Sequence, residues 1–523
     1  INNDMKTTRL AIFAVFAAAA SVSLGADLVY RQIANGNTSY NGDGRLWYSS
    51  DAKYVPVYDE DGTTVKYYVL DQGPVNRSPT IDDNVTISGY TEGDKYVSTD
   101  DAWKQAYEDG TWQTGDGSHP MYWIKGTTDD MVTTGYKDAE KTTVSKTNYV
   151  ERILQSLHNG SANVLAKNLT ISFAKDYLFG NASDVNANFT FHFIGTDSSK
   201  NIMNVAETMT IGGGKNIIFY TDSGKTADYI NFGRVDVAFD SSATFKIGNG
   251  QGTMNELRIG VDKGESGYTL NSLAASTIGA NSALQIDSEV KNAYIGNVDI
   301  AKGGNLLINN VASANLLGDI NNRGTLSIKG TTNASMASGK TITQTFTDGE
   351  ETVEGTTNIN DSAVVSDTTI VGGTTHFSGG KFVNSTQKGG LMNMSGTAVA
   401  ENASFTDGAL LKYYGGTLSG TTTFKDGQFA TSSEGIAFTL SADAVINAET
   451  NKFHINYTNP TNGKVDGGTS ADVNILGVIN FKGNGKYSGG VPNSTYGDYF
   501  FQLNGKDIYV NELNFAGGMG ELD

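Results

Sequence analysis

The chain contains no cysteine. That excludes disulfide staples, thiolate chemistry and the cysteine-based zinc sites. Proline is scarce too, with 6 in 523 residues and none between Pro120 and Pro460. Proline removes a ladder donor, so a proline-free span of that length suits continuous sheet. The histidines are His119, His158, His192, His376 and His454. No two stand at metal-ligand spacing, so structural or hydrolytic zinc is not expected. Hydrophobic residues make up 38% of the chain, little for one deep globular core but enough for a thin apolar column. Basic residues are in deficit, 37 against 56 acidic, for a net charge of −19. That balance disfavours nucleic acid and anionic membrane surfaces as partners. It leaves weak calcium binding as the only cofactor-like interaction, and no cofactor site is expected.

What the chain has in abundance is short strands and turns. Between Asn168 and about Gly330 one small unit recurs: Leu169–Ser172, Phe189–Phe193, Met209–Ile211, Val235–Phe239, Glu256–Ile259, Ala283–Ile286, Asn305–Ile308 and Gly324–Ile328. The steps from Leu169 to Phe189 and from Phe189 to Met209 are equal. Later steps vary, from the longest at Glu256 to Ala283 to the shortest at Asn305 to Gly324. Most copies alternate apolar and polar residues, so one face is buried and the other wet. Gly, Asn, Asp and Ser fill the intervals and turn the chain tightly. A strand repeat of this length without helices is the signature of a β-solenoid. One coil of about 20 residues accommodates three short strands and three turns, each strand pairing with the coils above and below. Thr, Asn and Ser at matching turn positions are expected to form ladders of side-chain hydrogen bonds. An array of sandwich domains would show a period near 100 residues, and none is present.

The rest of the chain divides around these repeats. Met5–Arg9 is basic, Leu10–Ala20 is an unbroken apolar run, and Ser21–Ala26 is rich in small residues. This reads as a secretory signal peptide (residues 1–26) cleaved after Gly25 or Ala26, with Ile1–Asp4 upstream of a natural start. A membrane anchor needs roughly 18 apolar residues, more than this run supplies, so no transmembrane helix is expected in the mature chain. Residues 27–89 hold a hairpin-like pair, Tyr54–Tyr58 and Val65–Val69, and then Ser78-Pro79-Thr80-Ile81-Asp82-Asp83-Asn84-Val85-Thr86-Ile87-Ser88-Gly89. Residues 90–165 interrupt the pattern. Asp100–Tyr107 and Asn148–Leu157 read as short helices, and the block as an insertion or cap over the solenoid end. The β-helix repeats run over 166–444. The Phe-(Thr or Lys)-Asp-Gly copies at Phe405 and Phe424 stand one coil apart. Thr352–Gly355 is read as another, shorter repeat unit. Residues 445–523 continue the β-helix, as in Val473–Phe481, and are expected to be cut short.

The Gly- and Trp-containing opening (Gly42–Trp47), followed by a Pro and then Asp-Asp-Asn-Val-Thr-Ile-Ser-Gly, resembles the start of autotransporter-type passenger domains. The resemblance implies a right-handed parallel β-helix exported by a Gram-negative bacterium. It also implies an adhesin-type rod at the cell surface or outside the cell, binding host or neighbouring-cell glycans or proteins. No C-terminal membrane β-barrel of alternating strands, which that family carries, is read in this sequence. The expectation is either that the chain is cut short and the missing barrel is the anchor, or that it is exported by another route.

Chemical motifs are sparse. Asp59-Glu60-Asp61-Gly62 departs from the calcium-loop pattern at Thr63 and Thr64 and reads as an exposed turn. Gly212-Gly213-Gly214-Lys215 lacks phosphate-loop spacing and reads as a turn. His192 alternates with Phe191 and Phe193 and is expected on the surface. Asp236, Asp240, Asp262 and Arg258 are the grouping that successive coils would bring together if the chain were an enzyme. Tyr413-Tyr414 are candidate sugar-stacking aromatics. No catalytic, cofactor-binding or metal residue is assigned. The expectation is a non-catalytic adhesive rod. The alternative is a polysaccharide lyase or glycoside hydrolase on the same fold, which rests on fold analogy.

Overall fold

The computed structural model describes 216–431 and 438–449 without interruption. Around these it describes shorter segments between 25 and 213 and between 453 and 522, with gaps. Every regular element among the described residues is a strand. Residues 1–24, where the signal peptide is read, lie outside the described residues.

Local sequence explains the strands. Ala243-Thr244-Phe245-Lys246-Ile247 alternates side chains in character, and its burial alternates with the same period. Asn305–Asn309 and Thr325–Lys329 do likewise, burying Leu306, Ile308, Leu326 and Ile328. A pleated strand sends successive side chains to opposite faces, so apolar residues at every second position line one side. These side chains form one buried cluster that runs from Leu28 to Ile479.

The chain winds in coils of three strands, one in each of three sheets. In mid-molecule Ser282–Ile286 lies in sheet I, Val290–Ile295 in sheet II and Val298–Ile300 in sheet III. Asn305–Asn309, Ser313–Leu316 and Ile320–Asn322 repeat the plan one coil on. Each strand pairs in parallel with its counterpart: Leu284 faces Leu306, Ala293 faces Ala314 and Val298 faces Ile320. Sheet I stacks sixteen such strands. At about 4.8 Å per strand the stack is roughly 70 Å long. Sheets II and III join where long strands round the corner between them. Ile202–Gly213 pairs with Thr226–Asn231 through its first half and with Arg234–Ala238 through its second. The fold is therefore the parallel β-helix that the repeats predict.

The coil length is not constant. Asn168 pairs with Thr208, a coil of 40 residues, and Asp236 with Thr277, a coil of 41. Farther on, Asp299 to Asn321 takes 22, and His376 to Asn393 only 17. Excursions account for some of the long coils. Val261–Gly264 and Gly267–Leu270 form one antiparallel hairpin, inside the coil of 41. Thr345–Asp348 and Glu351–Glu354 form a second. The segment Thr352–Gly355, read above as a repeat, supplies an arm of that second hairpin, so the expectation is corrected there.

The tight coils turn on left-handed residues. Asp367, Asn384, Asn402 and Gly420 stand at equivalent corners between sheets II and III, with φ of 51°, 48°, 53° and 60°. One such residue redirects the strand without a longer loop, and Asn, Asp and Gly tolerate this conformation best. The expected side-chain ladders appear at such places. Asn402 Nδ2 donates to Asn384 Oδ1 at 3.2 Å, and Asn402 Oδ1 accepts the Thr421 N–H at 2.9 Å. On sheet III, Asn514 donates to Asn480 at 2.9 Å and Asn480 to Asn447 at 3.0 Å.

Among the described residues, the short helices expected in 90–165 are not found. Asn148 and Tyr149 end the strand Val144–Tyr149, and Ser156 and Leu157 begin the strand Ser156–Asn159. Ser156–Asn159 pairs in parallel within sheet I, Leu157 facing Phe191. Sheet pairing therefore takes both ends of the expected helix, and 150–155 between them lie outside the described residues. The other segment, Asp100–Tyr107, lies outside the described residues. Within the insertion, Thr111–Thr114, Met121–Lys125, Val132–Tyr136 and Val144–Tyr149 form a four-stranded antiparallel sheet. The expected hairpin of Tyr54–Tyr58 and Val65–Leu70 is present. At the first coil Trp47–Ser49 runs antiparallel along Asp27–Tyr30, and Trp47 packs edge-on against Tyr30 and Tyr40.

Candidate functional site

The densest group of reactive side chains lies on the outer face of sheet II, under the first hairpin. Parallel register sets its rows. Tyr229, Glu256 and Asn292 form one row, and Asn231, Arg258 and Tyr294 the next. Between the rows Ile230, Leu257 and Ala293 point into the core. The hairpin, inserted between strands Thr253–Ile259 and Ser276–Ile278, adds Lys263 and Tyr268.

Glu256 is the centre of this group. Its carboxylate accepts from Arg258 Nε, from Lys263 Nζ at 3.1 Å and from the Tyr268 hydroxyl. The Tyr268 ring stacks on Tyr294 with centroids 3.7 Å apart and planes 15° from parallel. The Arg258 guanidinium lies over the Tyr229 ring at 4.2 Å. Partial burial works against ionisation of Glu256. Hydrogen bonds from Tyr268, Arg258 and Lys263 outweigh it and hold the carboxyl below its ordinary range. Burial, then donation to Glu256 and the contact with Tyr294, push the Tyr268 phenol well above its ordinary value. A carboxylate held ionised by two cations and a phenol held protonated make a poor acid–base pair at neutral pH. They make a good clamp. The clamp presses the hairpin onto the rod and leaves Gly264 to Ser266, at its tip, exposed.

The second hairpin is held in the same style, with fewer contacts. The Arg323 guanidinium sits 4.0 Å over the Phe346 ring, and Lys302 reaches Glu351 at 3.5 Å. Its tip, Asp348 to Glu351, is acidic and exposed.

The grouping of Asp236, Asp240, Asp262 and Arg258 is dispersed. Asp236 lies on sheet III, ion-paired to Arg234 at 2.8 Å and accepting from the Thr277 hydroxyl at 2.8 Å. Asp240 is exposed in the turn that follows. Asp262 belongs to the hairpin, 3.4 Å from Asn271 Nδ2, and Arg258 is in the clamp. Tyr413 is not a surface aromatic. It is buried, and its hydroxyl donates to the Gly416 carbonyl at 2.6 Å, while Tyr414 is half-buried. Phe189 and Phe191 are core residues as expected. His376 is exposed, with Asn393 Nδ2 3.5 Å from its Nδ1. Gly212 and Gly213 close the strand Ile202–Gly213. Among the described residues, no group of three or more His, Cys, Asp or Glu side chains is placed to hold a metal ion.

The sequence reading missed Glu256, Tyr268 and Tyr294. One signal was available: Glu256-Leu257-Arg258 places opposite charges on one face of one strand. Tyr294 was out of reach, because its row partner Arg258 lies a whole coil back, and that coil has no standard length.

Fold and surface together define a three-sided parallel β-helix, a repeat protein with two clamped hairpins on its flank. No family model, curated protein or solved structure matches the chain. Among the described residues no helix is long and apolar enough to cross a membrane.

Proposed function

We propose that this chain is an exported, non-catalytic adhesive rod, similar in role to the passenger of an autotransporter. Met5–Ala26 directs it out of the cytoplasm, and a membrane barrel encoded with it holds it at the surface of a Gram-negative cell. One observation carries the reading: a single parallel stack sends its apolar side chains inward and leaves three long polar faces outside. Such faces suit many weak contacts in series, in which avidity replaces a deep pocket. The ligands are glycans or proteins of host or neighbouring cells. The two hairpins, held against the rod with Gly264–Ser266 and Asp348–Glu350 exposed, are the first surfaces such ligands meet.

The test uses the purified mature chain, coupled to beads and presented to arrays of acidic and neutral glycans and to whole cells, with and without calcium. Retention that grows steeply with bead loading, with no glycan cleaved, is expected. Turnover that disappears on replacing one or two carboxylates would instead establish a glycan-degrading enzyme and sink the proposal.

A further inference from the structure

One corner between sheets I and II is made of alternating glycines. Strand Ala243–Ile247 leaves sheet I through Gly248-Asn249-Gly250-Gln251-Gly252 and enters sheet II at Thr253. Gly248 and Gly250 have φ of 90° and 83°, which glycine adopts without strain. A β-carbon at Gly248 would lie 2.9 Å from Glu289 Cβ, and one at Gly252 would lie 2.3 Å from the Thr221 carbonyl oxygen. The turn is thus wedged between the coil before it and the coil after it. Backbone bonds hold its two ends. The Gly248 N–H donates to the Phe219 carbonyl at 2.6 Å, and the Thr253 N–H to the Lys225 carbonyl at 3.0 Å. Gly250 and Gln251, in its middle, are exposed.

Glu289 secures the part between those ends. It is 2% exposed and stands just before strand Val290–Ile295. Its Oε2 accepts the Asn249 N–H at 2.9 Å, and its Oε1 reaches past that turn to accept the Thr221 N–H. One buried carboxylate therefore pins two earlier coils, 40 and 68 residues back. Burial raises its affinity for a proton, and the N–H bonds oppose that rise without cancelling it. The coil before brings Tyr220, Asp222 and Lys225 to this corner. Lys246 is taken by Asp287 at 3.1 Å, and Lys291 reaches Asn255 at 3.3 Å. Asp287 behaves oppositely to Glu289. Burial works against its ionisation, but the Ser288 N–H, Lys246 and Gln285 hold its carboxyl below the ordinary range. The two carboxyls titrate in separate windows.

We propose that Glu289 is a proton-operated latch on the turn 248–252, which holds the Asn249 N–H when ionised and releases it when protonated. A protonated carboxyl keeps one good acceptor, its carbonyl oxygen, and its hydroxyl oxygen is a poor one. The Thr221 N–H belongs to a fully buried residue with no water to turn to, so it keeps the carbonyl oxygen. Asn249 is half-buried, and its N–H can turn to water. The sign of the linkage matters here. A carboxyl whose folded-state pKa is raised contributes stability in full below the unfolded value of about 4.3, and that contribution is lost as pH rises through the folded value. Protonating Glu289 therefore frees the turn without loosening the rod. Mild acid changes the surface offered at this one corner and leaves the rungs beside it in place.

Hydrogen exchange of the whole chain, corrected for the pH dependence of exchange itself, is followed between about pH 7 and 4.5, the window above the ordinary glutamate value. Protection over 248–252 is expected to fall by about tenfold or more on acidification, the weight of one bond to a charged acceptor. Protection over Ser282–Ile286 and Asn305–Asn309 should hold. E289Q, neutral at every pH, should show the low protection already at pH about 7 and no further response. D222N and D287N should respond as the unaltered chain does. Unchanged protection over 248–252 in the unaltered chain overturns the proposal, and so does a fall shared equally by the neighbouring strands. A response that persists in E289Q, or that vanishes in D222N or D287N, overturns it as well. The unaltered chain and the two aspartate variants decide the matter if E289Q does not fold.

Discussion

Asp83 ties together segments 57 residues apart. It accepts the Ala26 N–H at 2.8 Å, the Thr80 N–H at 2.7 Å and hydroxyl at 2.9 Å, and both terminal nitrogens of Arg77, at 2.6 and 2.8 Å. Burial alone would raise its pKa. The Arg77 guanidinium and the donors from Thr80 and Ala26 win, and hold the carboxyl far below the usual range. A depressed folded-state pKa contributes stability above the unfolded value of about 3.9, and that contribution fades as pH falls through the folded value. Amide-exchange protection over Leu28–Tyr30 should accordingly drop when pH is lowered below about 4. Asp83→Ala should remove the same protection at neutral pH, at a cost of about 2–3 kcal/mol for charge-assisted bonds partly open to water. Thr422 is the opposite kind of residue. Its hydroxyl is buried without a hydrogen-bond partner. Thr422→Val keeps the shape and removes the unpaired group, so chemical denaturation should show a gain of about 1 kcal/mol.

The hairpins and corners are local elements with separable stabilities. Tyr268→Ala removes both the stack on Tyr294 and the bond to Glu256. Limited proteolysis should then cut near Glu265 and Ser266 sooner, while the main unfolding transition stays within about 0.5 kcal/mol, as for other surface changes. If the transition moves with the hairpin, the clamp is part of the core and the account of it is wrong. Asn402 serves a corner twice, through its φ of 53° and through bonds to Asn384 and the Thr421 N–H. Asn402→Ala should cost about 1–2 kcal/mol in equilibrium unfolding, the sum of left-handed strain and a lost hydrogen bond. Asn402→Gly should recover the first part only. These elements also show what the sequence disclosed. Alternation in Asn305–Ile308 or Gly324–Ile328 was readable, because burial of one strand face imposes a period of two. The spacing was less informative than it looked. Leu169, Phe189 and Met209 fall at equal intervals, yet Leu169 pairs with Met209 in sheet III while Phe189 lies in sheet I. Equal steps along the chain were steps between different faces. The two flank hairpins are hard to read because their arms are short strands like the rungs, and Thr352–Gly355 reads as one of these. The clamp escaped because register across coils of unequal length is fixed by pairing, which no local pattern encodes.

Taken whole, the molecule is a column whose interior changes character along its length. Near the first coils it is aromatic, with Phe191 stacked on Phe219 at 4.7 Å and Phe245 edge-on to Phe219 at 5.5 Å. Where the coils tighten it takes in buried polar side chains beside Phe377, Phe405 and Phe424. Thr357 donates to Gln344 at 2.7 Å and Thr375 to Gln387 at 3.0 Å, all four side chains fully buried. Each Gln also donates to the Gly372 carbonyl, at 3.1 and 3.3 Å. A satisfied network of this kind favours one register over its neighbours, which matters in a stack where slipping by a residue would turn every side chain over. A rod so specified needs no ligand to shape it, and that is what a presenting surface requires. The most direct measurement is made on intact Gram-negative cells carrying the complete reading frame around this chain, by protease shaving together with a cell-adhesion assay. The mature chain from Asp27 onward should be recovered from the outside, and adhesion should fall when it is shaved away. A chain that stays protected inside the envelope, or shaving that leaves adhesion unchanged, would contradict the account.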